Sequence, residues 1–335
     1  MSRTLRAYTG ALAAVALLAS GCSIDDPAKS TGAPSAQPTF TLPSPSPLLP
    51  RAPLTGVETD EVAAARTSVL VPIEVGTGAA APVGLDKADL VGLEFAEGSL
   101  LRATAVFQSQ AAAKVGPVAA VRPTDLKLFN QLRPFVAHNH TEAQGWLDTL
   151  KSTNLPSGTP STRKAGFTTV SGRAYANAAS LQAPTASANA LPSALFQYAQ
   201  RGESLAATGL DPAAAVTVQV AGHTTLTWRF DEATKRWQTT VGGVPVAAAN
   251  LVLLTVPYKK KQVSALHRTV SLADLGGTGA ARVFGAGQGV TSTWSKIGGL
   301  DSALNLLGPS QSLVRLATGP TWVLLLPTTA KVTVS

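Results

Sequence analysis

Thr225-Leu-Thr-Trp-Arg-Phe-Asp-Glu-Ala-Thr-Lys-Arg-Trp-Gln-Thr-Thr-Val241 is the stretch from which the fold class is read. Leu226, Trp228 and Phe230 alternate with polar residues, so a strand here gathers them on one face. Asp231 to Lys235 interrupts the alternation with turn formers, and Trp237, Thr239 and Val241 answer on a returning strand. The spacing predicts an antiparallel hairpin. The texture recurs downstream. Ala281–Phe284 and Val290–Trp294 flank Gly287-Gln-Gly289, predicting a second hairpin. Ser312–Leu316 and Thr321–Leu326 flank Thr318-Gly-Pro320, predicting a third. Residues 209–335 are therefore read as a C-terminal, mainly antiparallel β domain.

Upstream, residues 55–208 read as an N-terminal mixed α/β domain, which makes the whole chain α+β. Ser68–Ile73 is a short β-branched strand. Leu101, Ala103, Ala105 and Phe107 alternate with Arg102, Thr104, Val106 and Gln108, predicting a strand covered mainly on one side. Thr141-Glu-Ala-Gln144 has the form of a capping box opening a helix, with Trp146, Leu147 and Leu150 as its buried stripe. Pro192 is placed to start another helix running to about Gln200.

The chain begins with Arg3 and Arg6, then an apolar run from about Ala11 to Leu18, then Ala19-Ser-Gly-Cys22. A positive flank, an apolar core and small residues before a cut are the parts of a secretory signal, here residues 1–21. The apolar core is shorter than the ~20 residues of a permanent span. Leu18-Ala-Ser-Gly-Cys22 has the form of a bacterial lipobox, in which the cysteine sulfur carries the lipid (hence the expectation of palmitate or a similar chain). Cys22 is the one cysteine in the sequence, so an internal disulfide and a thiolate metal site are both excluded. Residues 22–54 are rich in Ser, Thr, Pro, Ala and Gly and predict a disordered tether, reaching roughly 3 Å per residue where extended. The expected address is the outer face of a cell membrane, with Cys22 as the anchor.

Hydrophobic residues make up 45% of the chain and charged residues 14%, enough to bury a core. Losing Arg3 and Arg6 with the signal lowers the formal net charge from +8 to +6. A basic protein at that address is drawn to anionic headgroups and wall polymers, and nucleic acid is not expected there. Lys259-Lys260-Lys261 is read as a solvated turn after an apolar strand.

Glu94, Glu97, Arg102, Arg122 and Asp125 form the most suggestive polar set. Paired carboxylates serve acid–base chemistry on glycans, and Arg forks also clamp carboxylates structurally. With Arg122 before Pro123 and Asp125 near a helix start, a structural or ligand-binding network is the favoured reading. His138-Asn-His140 lacks a third ligand and is read as an exposed loop, so no metal is assigned. Gly-x-Ser-x-Gly does not occur, and Ser161-Thr-Arg-Lys164 lacks a helical setting. Gly276–Gly279 and Gly285–Gly289 lack the strand–helix setting of a phosphate loop and read as turns, leaving no cofactor pattern. Trp228, Trp237, Trp294 and Trp322 are read as core rather than as a sugar platform.

A longer pattern runs through these residues. Gly84-Leu-Asp-Lys-Ala-Asp89, Glu94, Glu97-Gly98, Arg102 with Ala105–Gln110, Val115-Gly-Pro-Val118 and Arg122-Pro-Thr-Asp125 follow in order. Ser161-Thr-Arg163-Lys164-Ala165, Leu226–Asp231, Gly289–Trp294 and Pro320-Thr-Trp322 complete it. This order, over residues 55 to 334, resembles the YerB-like lipoproteins. The resemblance implies an envelope lipoprotein of two domains of unknown function with no associated cofactor, and it adds Arg163 and Lys164 to the polar network. The chain departs from that pattern at Ala119-Ala120, at His138-Asn-His140-Thr and at Gly166-Phe-Thr.

The expected role is a noncatalytic binding or accessory module whose partner is an anionic wall polymer or an envelope protein. The alternative is a wall-glycan enzyme using Glu94 and Glu97. The absence of a defined catalytic set weighs against an enzyme.

Overall fold

The computed structural model describes residues 49–335 apart from 77–78, 141, 183–191, 201–202 and 264–266. The signal, Cys22 and the tether through residue 48 lie outside the described residues.

The centre is an eleven-stranded mixed sheet. Its N-terminal members are β1 (Val69–Val75), β2 (Leu90–Phe95), β3 (Leu101–Phe107) and β4 (Phe135–Ala137). Between β3 and β4 lies the helix α1 (Pro123–Phe129), and α2 (Gln144–Ser152) follows β4. Next come β5 (Ala215–Gln219), β6 (Leu226–Asp231), β7 (Arg236–Val241) and β8 (Val244–Ala248). The rest are β9 (Asn250–Val256), β10 (Tyr258–Val263), β11 (Arg268–Ala273), β12 (Gly277–Gly285), β13 (Gln288–Lys296), β14 (Asn305–Leu307), β15 (Thr321–Pro327) and β16 (Lys331–Val334). In the large sheet the order is β14-β13-β12-β9-β15-β2-β3-β1-β4, ending on the short strand Ser157–Gly158, and the short strand Asp211–Pro212 pairs with β13 off this path. Strands from both sides of residue 208 thus share one hydrogen-bonded sheet. A second, five-stranded sheet has the order β8-β7-β6-β5-β16, and β10 and β11 form a two-stranded ribbon.

Both faces of the large sheet are covered, which explains its apolar strands. On one face Val91, Leu93, Leu251, Leu253, Trp322 and Leu324 share a core with Val216, Leu226, Trp228 and Trp237 of the small sheet. Trp228 and Trp322 meet edge to face, 5.2 Å between centroids. On the other face Leu90, Val106, Leu254, Val323 and Leu325 pack with Leu126, Leu128 and Phe129 of α1. Gly92 lets the helix sit that close, because a Cβ there would stand 2.7 Å from the Leu128 side chain. The four tryptophans of the β-rich segment are core, each at most 1% exposed.

The hairpin of β6 and β7 forms as its alternation predicts, with Phe230 opposite Trp237. The β12–β13 hairpin also forms but runs longer than the sequence predicts, and its loop is Ala286-Gly287, both at positive φ. A two-residue loop of that kind matches the twist of the strands.

Five expectations are corrected. β3 is covered on both faces, because Arg102 and Thr104 are buried by polar partners rather than solvated. Thr321–Leu326 does not return on Ser312–Leu316. It lies as β15 between β9 and β2, parallel to both. Helix α2 begins at Gln144 with Ala143 as its N-cap and no side-chain cap bond. Gln144 turns forward to Asp148, and Glu142 is drawn away to Arg122. The segment after Pro192 is not helical. Leu195, Phe196 and Ala199 are buried as an extended strap, and Ala199 N–H donates to the Leu316 carbonyl at 2.8 Å. The lysine run belongs to strand β10 rather than to a turn, with all three side chains exposed.

Candidate functional site

The polar site grows out of strand register. Arg102 in β3 stands directly between Glu74 of β1 and Glu94 of β2, so three charged side chains form one row under α1. Arg102 is 1% exposed, with Nη1 3.5 Å from Glu74 and Nε 3.9 Å from Glu94. Its Nη2 donates to the Ala120 carbonyl at 2.7 Å and to Asp125 at 3.2 Å. Asp125, in the first turn of α1, also accepts from Thr104 Oγ1 at 2.5 Å and from the Arg122 backbone N–H at 2.7 Å. One carboxylate therefore caps the helix and fixes it to the sheet.

Arg122 is the N-cap of α1, and its side chain is fully buried. It donates to Glu142 through Nε at 2.7 Å and Nη2 at 3.1 Å. It also donates to Glu97 through Nη2 at 2.9 Å and Nη1 at 3.1 Å. A planar guanidinium suits two such forks, which a lysine could not make. The excess negative charge is met by Arg268, whose Nη2 lies 2.9 Å from Glu142 and 3.7 Å from Glu97.

The same carboxylates hold the β10–β11 ribbon. Ser271 N–H donates to Glu97 at 3.2 Å, and Ala273 N–H donates to Glu94 at 2.7 Å. Thr124 Oγ1 donates to Glu94 at 2.9 Å. Asp274 takes Lys127 at 2.9 Å and Lys259 at 2.5 Å.

The electrostatics follow from these partners. Burial alone would raise the Glu97 carboxyl, but the hydrogen bonds and charge of Arg122 outweigh it and hold Glu97 at about 2. Glu142 is lowered in the same way, burial opposing and Arg122 winning. Glu94 is the reverse: burial pushes it up to about 7 against the charge of Arg102. The lysine contacts, Lys259 first, hold Asp274 well below the ordinary range.

A catalytic acid needs a proton and a path to substrate. Glu97 is ionised and forked to a guanidinium. Glu94 carries its proton to near neutrality but is 3% exposed and already accepts two hydrogen bonds. The arrangement joins β2, β3, α1, α2 and the ribbon as a clamp. Three of its charged members are not legible in the sequence: Glu142 sits within a helix-cap pattern, and no local pattern points to Glu74 or Arg268.

The remaining candidates lie apart. Arg163 and Lys164 are exposed, and Arg163 rests over the Phe135 ring at 5.6 Å. No hydrogen bond or ion pair among the described residues joins them to the clamp. His138 is buried rather than in an exposed loop, with Nδ1 3.1 Å from the His140 carbonyl, and burial holds its ring below the ordinary value. No group of three or more His, Cys, Asp or Glu among the described residues is placed to hold a metal. An open groove of 940 Å³ crosses the outer face of the small sheet. Thr225, Thr227, Gln238 and Thr240 line it, and Gly76, Asp86 and Ser99 form another wall.

Sheet order and clamp define a two-segment mixed-sheet body whose halves are interlocked. Comparison with known families places it: the chain belongs to the family described as protein of unknown function (DUF3048), matching its N-terminal domain over residues 54–191 and its C-terminal domain over residues 216–323. The chain is 36% identical over 96 residues to a Bacillus subtilis (strain 168) protein named "Putative lipoprotein YerB". That match spans 29% of this chain and 28% of the relative. The fold is that of the crystal structure of YerB protein from Bacillus subtilis, with a TM-score of 0.65 at 21% identity, over 84% of this chain and 99% of that one.

Proposed function

We propose that this chain is a noncatalytic accessory lipoprotein of the bacterial envelope, anchored through Cys22 on the outer face of the membrane. Its folded body binds an anionic wall polymer or an envelope protein. The observation that carries the reading is the clamp: Arg122 is forked to Glu97 and Glu142, and Arg102 and Glu94 are buried side by side, so the described residues of the clamp leave no exposed acid–base pair. The open groove on the small sheet and the exposed lysines of β10 remain as surfaces for a partner. The lipobox pattern and the name of the Bacillus relative support the anchor. Anchoring is tested by fractionation: Cys22→Ala should move the protein from the membrane fraction to the soluble one. Binding is tested by crosslinking the full-length protein in cells and by sedimentation with purified wall. Retention on wall material or one reproducible envelope partner supports the proposal. Wall-glycan turnover that is lost in both Glu94→Gln and Glu97→Gln overturns it in favour of an enzyme.

A further inference from the structure

Between Asp148 and Glu203 the sequence holds no acidic residue, while Lys151, Arg163, Lys164, Arg173 and Arg201 fall within it. The stretch from Gly98 to Thr124, which carries Lys114, is likewise free of acids. The fold brings the two stretches together. Phe167–Val170 and Arg173–Ala176 form a hairpin closed by Ser171-Gly172, both at positive φ. Val115 and Ala176 exchange two backbone hydrogen bonds of 2.8 Å, and Val118 N–H donates to the Ala174 carbonyl at 2.8 Å. The hairpin is thus stitched to the segment that carries Lys114.

Alternation separates its two faces. Phe167, Ala174 and Ala176 turn into the core. Thr168, Val170 and Arg173 are exposed on the other face, where Lys114 Nζ lies 4.4 Å from the centre of the Tyr175 ring. Arg163 and Lys164 stand exposed just ahead of Phe167. Lys114 and Arg163 rest over aromatic rings, and no carboxylate among the described residues pairs with Lys114, Arg163, Lys164 or Arg173. Two acids border this lobe, and each has a cation of its own. Glu74, which shares a small pocket with Arg173, is 3.5 Å from Arg102. Asp86, just after the Gly84 that packs on Lys114, is 3.7 Å from Lys87. The β10 lysines differ, because Lys259 is already bound to Asp274.

Exposed cations with no carboxylate between them raise the local potential and draw a polyanion. Lys164 precedes the first strand and Arg173 follows the turn, so the charge is spread along the hairpin rather than gathered at one point. Such a spread suits charges that repeat along a chain. Val170, 46% exposed, is the one large apolar side chain that the hairpin exposes, too little apolar surface to enter a bilayer. We propose that this lobe is where the body grips an anionic polymer whose phosphates repeat along a flexible chain. This rests on the wall-polymer reading above and gives it a surface.

The test is retention of the full-length protein on immobilised inorganic polyphosphate, with neutral dextran as the control. The wild type should be retained on polyphosphate alone and released by salt, which screens exposed charges. Lys164→Gln with Arg173→Gln should weaken binding about tenfold or more, at roughly fivefold for each exposed cation. The denaturation midpoint of this double variant should stay in place, because neither side chain is paired. Lys260→Gln with Lys261→Gln, on β10, should bind as the wild type does. Loss in the β10 variant with the hairpin variant unaffected would overturn the assignment and leave the wall-polymer reading standing. No retention of the wild type on polyphosphate would overturn both. A loss confined to phosphatidylglycerol vesicles, with polyphosphate retention unchanged, would overturn it in favour of a membrane contact.

Discussion

Replacing Arg122 with methionine keeps most of the side-chain volume and removes the cation at the centre of the clamp. Four hydrogen bonds go with it, two to Glu97 and two to Glu142. Glu142 is 3% exposed and Glu97 20%, so water cannot replace the lost donors fully. Removing one partner of a buried ion pair costs ~3–5 kcal/mol, because the other charge is left uncompensated. Arg268 stays within 2.9 Å of Glu142 and offsets part of this, so the lower end of that range is expected. The loss carries a pH signature. Glu97 is held at about 2 against an ordinary 4.5. A lowered carboxyl contributes stability that is present above its unfolded pKa and lost as pH falls through its folded one. Arg122→Met abolishes that contribution. The gap between wild type and variant should therefore be widest above about pH 5 and close as pH falls below it. Denaturant unfolding at several pH values measures the gap, and hydrogen exchange at Ser271 and Ala273 reports whether the ribbon loosens first. Adding Glu97→Gln and Glu142→Gln should recover stability, since no buried charge is then left unpaired. A gap below about 1 kcal/mol at neutral pH, or one that does not narrow in acid, would refute the clamp as described.

Two further outcomes follow from single contacts. Glu94, raised to about 7 by burial, contributes stability that is full below 4.5 and lost as pH rises through 7. Glu94→Gln should match wild type near pH 5 and exceed it near pH 8 in denaturant midpoint. Gly279→Ala would place a Cβ 2.4 Å from Trp294 Nε1 and 2.7 Å from the Thr255 carbonyl, breaking the 2.9 Å bond between them. A cost of ~1–3 kcal/mol is expected, with a change in tryptophan fluorescence on folding.

Local pattern carried the reading as far as local physics decides structure. The Thr225–Val241 hairpin was legible because both its strands and its turn lie within one short stretch. The alternation of β3 was legible too, but not its second covering, since Arg102 looks solvated until Asp125 and Glu94 are brought beside it. The polar set Glu94 to Asp125 was found, and its character was not, because burial and pairing depend on α2 and the ribbon arriving from elsewhere. Pro192 carries a genuine helix signal, which loses to the burial of Leu195 and Phe196.

β15 has a consequence in time. It is made late, yet it sits between β2 and β9, bonded to both. Until residues 321–327 are synthesised, β2 and β9 each present an unpaired edge, and the N-terminal and C-terminal strands have no ladder between them. Such edges invite pairing with other chains. β2 and β9 therefore cannot be joined into one sheet before residues 321–327 are made.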